Sequence, residues 1–278
     1  MDSLRVRFEE SALASFLLSV MKRGLNSNGE GVELAVIQGG AVRGSAKYPA
    51  GEFEMGNLFD EFAFGTTTPQ CEMAIVELPG SVIEAAVRLT RQAEKPAPHF
   101  LHFDEEAKMN DSCGFETVDS KPFEAEKLYK VAIYQYLLTG LNNIEPLMDY
   151  VRSSGMKVPY PDSCPQAKNA VINICMKDAW RDLFGLTSDK CQTLSAAEIS
   201  KVLDDHFKEV AVDETLDSES IRRKSLSSMK IDKKHLMHFV EKKGMPRKGS
   251  MLIAQMIKAL DANKDGEVNR KEFEDLVH

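Results

Sequence analysis

Val32–Gly40 (VELAVIQGG) sets the architecture of the first half of the chain. Its first six residues are almost wholly apolar, as a strand covered on both faces requires, and Gly39-Gly40 closes it with a tight turn. Met73–Leu78 (MAIVEL) repeats the pattern ahead of Pro79-Gly80, and Leu128–Tyr136 (LYKVAIYQY) is a third strand of good β composition. Helical spacing lies between them. Residues 8–23 (FEESALASFLLSVMKR) put their apolar side chains on one face, with Gly24 and NSNGEG as the expected end, and Ser81–Gln92 follows the second strand as a helix. Strands and helices alternating in this way predict an α/β mixed-sheet domain over residues 1–152.

Residues 153–165 (SSGMKVPYPDSCP) are rich in Ser, Gly and Pro, and the domain boundary is expected there as a linker. Residues 166–278 change to helices without strand runs, which predicts a second, all-α domain. It carries an internal repeat of helix, short loop and helix, with an apolar residue in each loop: Leu194, Ile231 and Val268. These lie at an equal spacing, a stronger sign of one repeated unit than any single match.

Charge narrows the partners. The net charge of −8 resides in residues 1–155, which hold 14 basic against 23 acidic residues; residues 156–278 hold 21 against 20. A polyanion would be repelled by the first half, so nucleic acid is excluded as a partner. No apolar run is long enough to span a membrane. The N-terminus (MDSLRVRFEE) has no signal-peptide character. Cys71, Cys113, Cys164, Cys175 and Cys191 show no paired spacing, which predicts thiols in a reducing, cytoplasmic setting. The basic run Arg222-Arg223-Lys224-Ser225 reads as a solvated face, with a kinase site as the sharper alternative.

Asp261–Glu272 (DANKDGEVNRKE) places oxygen donors at positions 1, 3, 5, 7, 9 and 12 of a 12-residue loop. Asp261, Asn263 and Asp265 supply side-chain oxygens, Glu267 its carbonyl, Asn269 an oxygen acting through water, and Glu272 a two-oxygen clamp. Gly266 stands where the chain must turn sharply. The pattern resembles the EF-hand family, and the resemblance implies Ca²⁺ as the ion. The repeat at 187–198 keeps Leu194 and Glu198 but has Thr187, Cys191 and Gln192 at critical positions, so it is expected to be empty. The repeat at 224–235 puts Lys224 first and His235 last, which excludes calcium. Such loops work in pairs, and the sequence leaves open which degenerate loop partners 261–272.

In the first domain, short motifs coincide in order with one family. Arg7-Phe-Glu-Glu10-Ser-Ala-Leu13-Ala14, Ile37-Gln38-Gly39-Gly40-Ala41-Val42-Arg43, Met55-Gly56-Asn57-Leu58 with Phe62-Ala63-Phe64-Gly65, and Tyr136 with Gly140-Leu141-Asn142 resemble the 5′-nucleotidase C-terminal domain. The resemblance implies a nucleotide-recognition domain in which Phe64 and Tyr136 sandwich a base and Arg7 and Arg43 hold the anionic end. Gly39 and Gly40 would let the backbone approach the ligand. Gln38, Ala41 and Asn142 depart from the family's asparagine, glycine and aspartate. The glycines serve equally well as a plain turn, and the two rings equally well as core.

The family's hydrolysis uses a two-metal centre in a separate metallophosphatase domain, whose His, Asp and Asn clusters this chain lacks. His99 and His102, beside Asp104, Glu105 and Glu106, read as a surface turn. Catalysis by this chain alone is therefore not expected. The resemblance implies part of a calcium-regulated nucleotidase, with calcium and a nucleotide or nucleoside as ligands and an upstream metallophosphatase domain or a protein partner. The alternatives are a non-catalytic calcium-sensing interaction protein, with a groove lined by Met251, Met256 and Phe273, and a purely calcium-stabilised fold.

Overall fold

β1 (Leu34–Gln38) is buried at every residue, as its unbroken apolar run requires. In the computed structural model it belongs to a four-stranded sheet with β2 (Met73–Pro79), β3 (Leu101–Phe103) and β7 (Leu128–Tyr134), in the order β2-β7-β1-β3. β1 and β7 run parallel, Ala35 opposite Ala132, while β2 pairs antiparallel with β7 and β3 with β1. The described residues are 1–50, 53–62, 71–92, 99–187, 193–211, 230–243 and 250–276. They divide into a unit at Met1–Val171 and a unit at Ile172–His278.

Helix α1 (Ala12–Asn26) starts where Ser11 Oγ accepts from Ala14 N and buries Leu13, Leu17, Leu18 and Met21. It runs on through Gly24, where the sequence suggested an end. A Cβ at Gly24 would lie 2.3 Å from Ala170 O, so this glycine serves a close crossing rather than a helix stop. The helix expected after the second strand, Gly80–Arg91, buries Ile83, Ala86 and Val87. Three short strands, β4 (Lys108–Met109), β5 (Phe115–Val118) and β6 (Lys121–Pro122), make a second antiparallel sheet.

The surface turn expected around His102 is not there. His102 sits in β3 at 2% exposure and Asp104 follows it at 1%. Asp104 Oδ2 accepts from Ala35 N at 2.8 Å. Lys22, itself buried in α1, brings its ammonium within 2.7 Å of Glu106, 3.1 Å of Asp119 and 3.5 Å of Asp104, and donates to Glu33 O at 2.7 Å. Burial alone would depress the Lys22 ammonium, but the three carboxylates outweigh it and hold its pKa above the ordinary value. Burial pushes the Asp104 carboxyl up even with Lys22 opposite. Polar residues close together in sequence favour solvent; here a lysine from another element lets them go inside.

The 153–165 stretch does not mark the division of the chain, which falls between Val171 and Ile172. Its last residue and those that follow are fastened to the start of β2. Met73 N donates to Pro165 O at 2.8 Å, Ala167 N donates to Cys71 O at 2.9 Å, and Gln166 bridges to Glu72.

The second unit gathers helices around Trp180, which is fully buried and donates its Nε1–H to Met256 O at 2.8 Å. Phe184 stacks on Trp180 with ring centroids 5.5 Å apart and on Phe273 at 5.3 Å. The unit is not wholly helical, as the sequence had suggested. β8 (Lys230–Asp232) and β9 (Glu267–Asn269) form a two-stranded antiparallel sheet in which Ile231 faces Val268. These are the apolar loop residues of the second and third repeats, so the third loop is paired with the second. Residues 188–192 of the first loop and 224–229 of the second, with Arg222, Arg223, Lys224, Ser225, Cys191 and Gln192, lie outside the described residues.

Candidate functional site

Because β1 and β7 are parallel, their carboxyl ends open at the same end of the sheet, where α/β sheets leave a ligand crevice. β1 ends at Gln38 and passes into a buried 3-10 turn, Gly39–Ala41. β7 ends at Tyr134 and passes into the short helix Gln135–Leu138 and the turn Leu141–Asn143. Gly39, Gly40, Arg43, Tyr136 and Asn142 all stand on these two connections, and Arg7 joins them from the N-terminal segment. Phe64 lies outside the described residues.

Two of the departures from the family pattern meet each other. Asn142, held in the left-handed region at φ 63°, donates its amide N–H to Gln38 Oε1. Gln38 is buried, so this bond satisfies a side-chain oxygen that would otherwise cost free energy. Tyr136 is half-buried with its ring 5.5 Å from that of Tyr134. Burial, then Cys71, Glu72 and Tyr136, push the Tyr134 hydroxyl up to about 12, while Arg43 opposes the rise. Arg43 itself is exposed. Tyr134 is the aromatic that sequence reasoning passed over: its Tyr-x-Tyr spacing with Tyr136 is hidden inside a run of good strand composition. Two buried acceptors stand beside it. Glu72 Oε2 and Gln135 Oε1 receive no hydrogen bond from the described residues, although Gln135 Nε2 donates to Pro159 O at 3.0 Å.

Arg43 owes its position to a buried carboxylate that carries no sequence signature. Glu61, at 0% exposure, accepts from Ser3 Oγ at 2.7 Å, from the Tyr48 hydroxyl at 2.7 Å and from Gly44 N at 3.0 Å, and its carbonyl accepts from Arg43 N at 2.9 Å. Burial and the Glu61 contact raise the Tyr48 pKa, so this phenol stays a donor.

At Gly39 the close approach is to the chain's own backbone. A Cβ there would lie 2.1 Å from Val6 O and 2.8 Å from Arg7 Cα, both main-chain atoms that cannot swing aside. Gly39→Ala is expected to destabilise the first unit by about 1–3 kcal/mol and to displace Arg7. Urea denaturation checks this; a loss below about 0.5 kcal/mol would contradict the packing role.

Val6 O also accepts from His102 Nε2 at 2.6 Å, which fixes the neutral tautomer with its proton on Nε2. Burial, with Arg91 adding to it, pushes the His102 pKa down from 6.5 to about 4, against the opposing Val6 bond and Glu10. Between these values the unfolded chain takes up a proton that the folded chain refuses. The stability this confers is complete above pH 6.5 and is lost as pH falls toward 4, by roughly 3 kcal/mol in all. His102→Gln keeps a donor for Val6 and removes the titration. The stability difference between about pH 7 and about pH 4.5 should therefore be smaller in the variant by about 2–3 kcal/mol. Equal pH slopes in the two proteins would show that His102 charges freely in the fold.

The loop Asp261–Glu272 is ordered by its own amides. Asp261 accepts from Asp265 N at 3.1 Å and Gly266 N at 3.0 Å, Asn263 from Asp265 N at 2.8 Å, and Asp265 from Glu267 N at 2.9 Å. Glu272 reaches back to Asn263 N at 3.3 Å and Asn269 N at 2.9 Å, while Asn269 caps the helix Arg270–Glu274. Lys264 at φ 60° and Gly266 at φ 85° make the sharp turn. Backbone N–H groups thus fix the side-chain oxygens of Asp261, Asn263, Asp265 and Glu272 on one loop. An all-oxygen donor set of this kind suits a hard cation. Among the described residues, no three His, Cys, Asp or Glu side chains converge closely enough to hold a metal on their own. The loop's other donors are the Asn263 and Asn269 amides and the Glu267 carbonyl. No helix among the described residues is long and apolar enough to cross a membrane, and none of the four described cysteines is in a disulfide.

The carboxyl ends of the two parallel strands thus carry an arginine, a tyrosine and an asparagine on their outgoing connections. The model of the family described as 5′-nucleotidase, C-terminal domain, matches residues 1–149, and the chain belongs to that family. Among solved structures, the 5′-nucleotidase precursor from Thermus thermophilus is 20% identical, with a TM-score of 0.41. The match covers 53% of this chain and 30% of that one, so the chain spans less than a third of that relative's length. No curated protein sequence matches the chain.

Proposed function

We propose that the chain is the nucleotide-recognising part of a calcium-regulated nucleotidase or related metallophosphoesterase. In this reading residues 1–149 select a nucleotide or nucleoside, and Asp261–Glu272 takes up Ca²⁺. The observation that carries it is the meeting of Gly39–Arg43, Tyr136 and Gln38–Asn142 at the carboxyl ends of β1 and β7, in a domain of the 5′-nucleotidase family. Tyr136 offers a face for the base, and Arg43 and Arg7 offer guanidinium groups for the anionic end. The unpartnered Glu72 and Gln135 oxygens offer acceptors for ligand N–H groups. Phosphate-ester cleavage needs a metal centre beyond these residues. Asp261, Asn263, Asp265, the Glu267 carbonyl, Asn269 and Glu272 would hold the calcium ion, whose charge would stabilise the loop.

Calorimetric melting with millimolar nucleoside monophosphates tests the first half of the reading. A ligand at about 100 times its Kd stabilises the folded state by about 2.7 kcal/mol and raises Tm accordingly. Tyr136→Ala should weaken the effect by about 5- to 100-fold in affinity, the scale of one lost base stack. Calcium titration of Asp261→Ala/Glu272→Ala tests the second half, with uptake abolished as the expected result. A calcium response without any nucleotide response would favour the non-catalytic calcium-sensing alternative, although Met256 and Phe273, two of its proposed groove residues, are fully buried.

A further inference from the structure

We propose that Lys230, on the loop that lacks ligands of its own, sets the cation affinity of the loop Asp261–Glu272 by standing on its acidic rim. The proposal rests on the calcium reading of that loop and assigns its regulation. The β8–β9 register places Lys230 opposite Asn269 and Ile231 opposite Val268. From there the Lys230 ammonium lies 2.6 Å from Glu267 Oε2 and 3.6 Å from Asp265 Oδ2. Asp265 is the ligand at the fifth position, and Glu267 gives its carbonyl at the seventh. A cation entering the loop therefore meets a unit positive charge already in contact with two of its donor residues. Buried Ile231 and Val268 pin the strand from which Lys230 projects.

Lys230 is itself no ligand and is 56% exposed, so its effect is purely a matter of field, screened by water and salt. The loop holds the carboxylates of Asp261, Asp265, Glu267 and Glu272 and the cations Lys264, Arg270 and Lys271, of which Arg270 is engaged by Asp204 and Glu274, and Lys230 reaches it from the partner strand. Removing the contact charge should tighten binding modestly. Reversing it should tighten binding further, provided Asp265 and Glu267 remain in place.

Isothermal titration of the full chain with Ca²⁺ alone, in chelator-treated buffer, provides the test. Lys230→Gln is expected to bind about two- to fivefold more tightly than wild type at low salt, Lys230→Glu more tightly still, and Lys230→Arg like wild type. The gain should shrink toward nothing at about 0.5 M salt. Lys233→Gln removes an equal charge from the neighbouring helix and is expected to leave the affinity within about 1.5-fold. Calcium uptake by wild type with no tightening in Lys230→Gln, or equal tightening in Lys233→Gln, would overturn the role of Lys230 while leaving the calcium loop standing. Absence of uptake in wild type and every variant would overturn both. Melting curves in chelator confirm that each variant is folded, as the exposure of Lys230 leads one to expect.

Discussion

Trp180→Ala is expected to cost the second unit about 3–5 kcal/mol, the largest loss of any single apolar truncation in that unit. The indole is fully buried, stacks on Phe184, lies 6.4 Å from Phe239 and donates to Met256 O, so its removal opens a cavity and removes a buried hydrogen bond. Trp180→Phe separates the two contributions. It keeps a stacked ring and loses only the hydrogen bond and part of the volume, and about 1–2 kcal/mol is expected. Because Trp180 is the only tryptophan, fluorescence cannot follow its own replacement; circular dichroism and calorimetry serve instead. With two units in the chain, calorimetry should show the transition of residues 172–278 moving down while that of residues 1–171 stays. A shift below about 1 kcal/mol would mean that the helices repack around the gap.

The second large effect belongs to Lys22. Lys22→Met should destabilise the first unit by about 3–5 kcal/mol at neutral pH, because Asp104 would be left as a buried carboxylate with no cation opposite it. Methionine nearly matches the aliphatic stem, so the loss reports the charge rather than the packing. Two further results distinguish this account from a simple packing defect. The penalty should shrink as pH falls, since burial already pushes the Asp104 carboxyl up and a protonated Asp104 needs no partner. Lys22→Met/Asp104→Asn should recover part of the loss, because Asn can still accept from Ala35 N. A double variant no more stable than Lys22→Met would argue that Glu106 and Asp119 are the partners that matter.

The strands of the first unit were readable because each contains a short, largely apolar run rich in β-branched residues, and β1 is buried at every position. Each of VELAVI, MAIVEL and LYKVAIYQY contains a strand, and the first and third make the parallel pair, although Gln135 and Tyr136 at the end of the last run begin a short helix instead. What could not be read was the partnership of distant polar groups. Nothing near His102 or Asp104 in sequence announces that Val6 O and Lys22 will satisfy them, and a local reading therefore places them in solvent. The same blindness applies to Glu61, whose three donors come from residues 3, 44 and 48. Gly24 and Gly39 were legible as glycines but not in their purpose. Each clears room for a passing main chain, information that resides in the neighbour rather than in the glycine. The periodicity of Leu194, Ile231 and Val268 showed that the loops were related, and only the register Ile231 to Val268 shows which two are joined.

That join has a consequence for how the two loops can diverge. Apart from the Lys230–Glu267 contact at the surface, what passes between β8 and β9 is main-chain hydrogen bonding and one pair of branched aliphatic side chains. Lys230 can therefore be exchanged without withdrawing the support that β8 gives to β9. Pairing and surface charge are separately adjustable, so the charge beside the acidic turn can change while the turn's own residues stay untouched.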